Sequence, residues 1–107
     1  MITCQFKETI LGRKVETKEE VKLELPRMYK VLLLNDDYTT MDFVIDILMD
    51  IFHKDEIEAI DIMLKIHQEG SGVCGIFTYD IAETKVLQVK NRARKSEYPL
   101  RAIVEED

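Results

Sequence analysis

The stretch that decides the fold is Met28-Tyr-Lys-Val-Leu-Leu-Leu-Asn-Asp-Asp-Tyr-Thr-Thr-Met-Asp-Phe-Val-Ile45. Its first part, Met28 to Leu34, is a dense apolar run with aromatic and branched members, bounded by Pro26 before it and Asn35-Asp36-Asp37 after it. That length and those boundaries predict a buried strand ending in a turn. Asn and Asp suit the turn because their side chains hydrogen-bond nearby backbone. A helix then opens at Thr39 or Thr40, with Thr39 to Asp42 at capping-box spacing and an acid in the first turn, where the helix dipole favours it. Met41, Val44, Ile45, Leu48 and Phe52 recur at helical spacing as one face, while Asp42, Asp46 and Asp50 line another.

Working outward, Asp55-Glu-Ile-Glu58 repeats the capping pattern and opens a second helix. Ile57, Ile60, Leu64 and His67 mark its apolar stripe, with Ala59, Met63 and Ile66 beside it. Gly70 and Gly72 supply the stop. Val73 to Tyr79 reads as a second strand, and Asp80-Ile-Ala-Glu83 opens a third helix whose buried face is Ala82, Val86, Val89 and Ala93. Those residues are small or medium, which suits close packing on a sheet. Pro99 breaks the chain before a short last strand, Leu100 to Glu105. The predicted order is β-α-α-β-α-β, an α+β domain with a three-stranded sheet and helices packed on one face.

Toward the amino terminus the pattern fades. Residues 1–25 carry five bases and five acids and no long periodic apolar face. They read as a flexible charged arm, residues 1–26 of the chain, ahead of a folded core over 27–107. Within the arm, Val21, Leu23 and Leu25 alternate with Lys22 and Glu24, so a short strand fits there.

Composition narrows the function. At 107 residues the chain has the length of one domain with a single modest core. No apolar run approaches the roughly 20 residues that span a bilayer, and the start lacks a signal peptide's basic-then-apolar layout. Cys4 and Cys74 match no metal or redox spacing and read as two reduced thiols in a cytoplasmic protein. The net charge of -6 argues against nucleic acid as a partner. From Asn35 to Asp61 nine acids face one base, Lys54, whereas Lys85 to Arg101 carries six bases and only Glu97. Such a field favours a cationic ligand near the acidic part.

Catalytic signatures are missing. No G-x-G-x-x-G, P-loop, H-E-x-x-H or C-x-x-C occurs, and no serine, threonine or cysteine stands in a nucleophile context. Asp36 and Asp37 could form an acid/base pair, yet adjacent acids in a turn are usually solvated or capping. His53 near Asp50 is too sparse for a metal site, so neither cofactor nor metal is expected. The chain is expected to be a binding protein and not an enzyme.

From Met28 onward the chain closely resembles the ClpS family of adaptors for the Clp protease. The resemblance is carried by Met28 to Ile45, Met63-Leu-Lys-Ile-His67, Gly72-Val-Cys-Gly-Ile-Phe-Thr78, Ile81-Ala-Glu-Thr-Lys-Val86 and Glu97-Tyr-Pro-Leu100. It implies recognition of N-degrons, proteins whose free first residue is Leu, Phe, Tyr or Trp. It implies that Asn35, Asp37 and His67 bind the substrate's α-amino group, with Asp36 adding negative potential. Leu34, Thr39, Met41, Val44, Met63 and Leu100 would line the side-chain pocket, Met41 as gatekeeper against β-branched residues. Glu83, Thr84 and Lys85 match the surface that docks on the amino-terminal domain of a ClpA-type or ClpC-type unfoldase, and the arm matches the segment used in hand-over. A monomer is expected. Two departures stand out: Thr40 replaces a common proline, and the arm lacks the usual proline-rich junction. The rival readings are an interaction module of the same fold whose amino-group site has drifted, and a nucleic-acid contact through the basic third helix.

Overall fold

The computed structural model describes residues 25–107. The arm expected over 1–26, apart from its last two residues, lies outside them, as do Cys4 and most of the short strand expected near Val21. The described elements are β1 (Tyr29–Leu34), α1 (Met41–Asp50), α2 (Glu56–Glu69), β2 (Ser71–Phe77), α3 (Tyr79–Lys95) and β3 (Arg101–Glu106). The order is the predicted β-α-α-β-α-β. The sheet runs β2-β1-β3 and is antiparallel throughout.

β1 is the central strand, pairing with β2 along one edge and with β3 along the other. Val31 and Leu33 are fully buried under the helices, while Lys30, Leu32 and Leu34 alternate onto the half-exposed opposite face. Burying side chains of this size contributes about 1.5–3 kcal/mol each. Each helix brings a matching stripe: Val44, Ile47 and Leu48 from α1, Ala59, Met63 and Ile66 from α2, Ala82, Val89 and Ala93 from α3. Small residues on α3 let it approach β3 and β1 closely, as their sequence pattern predicts.

The details correct several expectations. On α2 the stripe led by Ile57, Leu64 and His67 points outward, with Ile57 77% exposed. The neighbouring Ala59, Met63 and Ile66 take the core instead, because the inward direction is set by packing against β2 and α1. On α1, Ile47 is fully buried, whereas Met41 is 48% exposed. Thr40 and not Thr39 is the N-cap, its hydroxyl accepting from the Phe43 N–H at 3.1 Å. β2 begins two residues earlier than expected, at Ser71, and Tyr79 belongs to α3. Asp55 and Glu58 form the predicted reciprocal capping box.

Cys74, on the core side of β2, is 1% exposed, and burial pushes its thiol up to about 12. It is a packing residue and remains a free thiol. At the other end of α2, Gly70 adopts φ +92 and its N–H donates to the Ile66 carbonyl. A Cβ there meets no atom, so the constraint is backbone conformation alone. Gly70→Ala is expected to destabilise the fold by about 1 kcal/mol, read as a lower urea midpoint with unchanged slope.

Candidate functional site

The candidate site lies where β1 ends. The Asn35 N–H donates to the Gly70 carbonyl at 2.9 Å, one residue beyond the Leu34–Ser71 pair of the β1–β2 ladder. This bond draws the acidic turn against the end of α2, where His67 stands in the last turn. The turn then feeds α1, whose first residue is Met41. A cavity of about 420 Å³ opens among these three pieces. Its size is in the range of small-ligand and side-chain pockets.

Its lining is part polar, from Asn35, Asp36, Asp37 and His67, and part apolar, from Met41, Val44 and Met63. Thr39 also lines it. The structure thus joins eight of the ten binding residues proposed from sequence. Leu34 and Leu100 are not among the lining residues. Leu100 is buried and borders a separate cleft with Val86, Lys90 and Ala102. Tyr38, Thr40 and Ile66 line the cavity without having been singled out. Their position next to lining residues was the only sequence signal for them.

The two turn aspartates differ in what they touch. Asp36 Oδ1 accepts from the Tyr38 and Thr39 backbone N–H groups at 2.8 and 2.7 Å, and Oδ2 accepts from the Thr39 hydroxyl at 2.7 Å. Partial burial pushes the Asp36 carboxyl up, but the Thr39 backbone, Thr39 hydroxyl and Tyr38 backbone bonds together hold it below its ordinary value. Asp37 is exposed and has no side-chain hydrogen bond or ion pair among the described residues. The same is true of His67. Among the described residues no group of three His, Cys, Asp or Glu could hold a metal, and no helix is long and apolar enough to cross a membrane.

The second proposed surface sits on α3. Glu83 and Thr84 are exposed, and the Thr84 hydroxyl donates to the Asp80 carbonyl at 3.0 Å. Lys85 is half-buried, its ammonium donating to the Ile51 carbonyl at 2.7 Å and lying 5.7 Å from the Phe77 ring centre. It therefore ties α3 to the carboxyl end of α1 as well as bordering a shallow cleft with Asp50, His53 and Arg92. Arg92 pairs with Asp50 at 3.2 Å.

Comparison with known proteins places this geometry in a family. The family model described as ATP-dependent Clp protease adaptor protein ClpS matches residues 24–103. The ClpS adapter protein of Wolinella succinogenes is 60% identical over 93 residues, covering 87% of this chain and 91% of that protein. The counterpart in Campylobacter jejuni (strain RM1221) is 54% identical over 94 residues, covering 88% and 98%. Among solved structures, Agrobacterium tumefaciens ClpS2 bound to L-phenylalaninamide superposes with a TM-score of 0.75 at 36% identity, covering 78% of this chain and all of that one. The chain belongs to the ClpS family and is an adaptor of the ATP-dependent Clp protease.

Because Lys85 bridges two helices, Lys85→Met is expected to lower stability by about 1–2 kcal/mol in urea unfolding, since a charged donor to a carbonyl is lost. Occupancy of the Asn35–His67 cavity by a ligand should be unaffected.

Proposed function

We propose that the chain recognises N-degrons by their free amino terminus and delivers them to a ClpA-type or ClpC-type unfoldase. The single observation that carries this reading is the cavity that joins Asn35, Asp37 and His67 to Met41, Val44 and Met63. Polar residues, of which Asp37 and His67 make no side-chain hydrogen bond among the described residues, share the cavity with apolar ones, which matches an ammonium group adjoining a large apolar side chain. L-phenylalaninamide, the ligand of the Agrobacterium relative, has that chemistry.

A free α-amino group has a pKa near 8 and is mostly cationic at neutral pH, with three donors. In this reading Asn35, Asp37 and neutral His67 each accept one. Asp36 contributes negative potential. The side chain of the first residue enters the pocket of Thr39, Met41, Val44 and Met63, with Leu34 and Leu100 as further contacts. Methionines at 41 and 63 give a deformable lining that accepts Leu or an aromatic ring. Burying such a side chain is worth about 1.5–3 kcal/mol, and each charge-assisted hydrogen bond about the same. The cost of association and of ordering a flexible peptide end is set against these gains.

Delivery would use Glu83, Thr84 and Lys85 as the docking surface for the unfoldase amino-terminal domain, with Lys85 also holding that surface rigid. The arm of residues 1–26 serves hand-over ahead of the core over 27–107. The protein acts as a cytoplasmic monomer, without cofactor, and binds without catalysing a reaction.

A peptide beginning with Leu or Phe is expected to bind at least tenfold more tightly than its N-acetylated twin, which lacks both the charge and the donors; equal affinity in a fluorescence titration would reject the reading. Asp37→Ala and His67→Ala are each expected to cost at least tenfold in affinity while leaving the circular dichroism spectrum unchanged.

A further inference from the structure

Asp36 Oδ1 already accepts two backbone N–H groups, and its Oδ2 accepts the Thr39 hydroxyl. An ionised carboxylate cannot donate, so the hydroxyl must. Its one hydrogen is thereby spent on Asp36, and only lone pairs remain for the cavity that Thr39 lines. The hydroxyl is an acceptor with fixed polarity, made more basic by the charge it donates to. This follows from the proton count at three bonds, each between 2.7 and 2.8 Å.

We infer that Asp36 is a positioning residue that locks Thr39 Oγ1 as an acceptor for the N–H of the bound peptide's first peptide bond. The inference rests on the N-degron reading and reassigns Thr39 from a passive wall to a selective contact. Asn35, Asp37 and His67 suffice for the three ammonium donors, so the next donor along the bound chain is the peptide N–H that follows the first residue. A ligand that presents an acceptor at that point meets only lone pairs.

Asp36→Asn provides a sharp test because it inverts polarity while preserving the turn. Two backbone N–H groups converge on Oδ1, so the amide oxygen must take that place and the amide nitrogen the place of Oδ2. The nitrogen then donates to Thr39 Oγ1, and the hydroxyl hydrogen is released toward the cavity. The full-length protein is titrated with a peptide beginning with Phe and with its ester twin, in which oxygen replaces the N–H of the first peptide bond. An N-acetylated peptide serves as control, and unfolding midpoints are measured for every variant.

Wild type is expected to favour the amide over the ester by roughly two- to tenfold, the range of one net hydrogen bond. Thr39→Val and Asp36→Asn should each bring that ratio close to one, and Thr39→Ser, which keeps the hydroxyl, should restore it. A turn brace acting only on structure would weaken both ligands alike and leave the ratio untouched. An unchanged ratio in Thr39→Val or in Asp36→Asn overturns the assignment while leaving N-degron recognition standing. Failure of wild type to distinguish free from acetylated peptide overturns the N-degron reading and this inference with it.

Discussion

The hydrogen bond from the Asn35 N–H to the Gly70 carbonyl, 2.9 Å long, is the constraint on which the site depends. It extends the β1–β2 ladder past Leu34 and Ser71, so the turn leaving β1 cannot drift from the end of α2. Gly70 makes this possible by reversing the chain at positive φ, which turns α2 straight into β2. Gly72 reinforces the closeness, because a Cβ there would fall 2.8 Å from Ile66 Cγ1. One glycine-dependent corner therefore brings side chains from residues 35–37 and residue 67 to the same cavity.

Within the acidic turn the two aspartates divide the work. Asp36 spends both oxygens on Tyr38 and Thr39 and shapes the approach to α1. Asp37, next in sequence, keeps its carboxylate exposed at the cavity. Thr40 then caps α1, so the dipole end of that helix is satisfied locally. A proline there would fix φ, whereas the capping hydroxyl of Thr40 holds the boundary through a hydrogen bond.

The charge segregation along the chain also acquires a structural meaning. The acidic row on α1 and the basic row on α3 meet where Asp50 pairs with Arg92, and Lys85 closes on the Ile51 carbonyl beside it. Exposed pairs such as Asp50–Arg92 contribute little stability individually. The half-buried Lys85 is different, since it satisfies a carbonyl at a helix end and packs near Phe77.

Much of the fold was legible from residue order. The apolar run before Asn35, the Asp55–Glu58 capping box, Gly70 and the small-residue face of α3 each act through neighbours within a few positions, so local chemistry determined the element order. The acidic turn stood out by its charge, whereas His67 was singled out only through the family resemblance. What local pattern could not determine was direction. Two stripes on α2 were nearly equally apolar, and only contact with β2 and α1 turned Ala59, Met63 and Ile66 inward and left Ile57 exposed. Nor could local pattern, apart from the family resemblance, distinguish Asp36 from Asp37, because identical side chains differ in which donors the folded turn aims at them. The closing of residues 35–37 onto residue 67 across more than thirty positions was a tertiary decision, made by strand pairing and one backbone hydrogen bond.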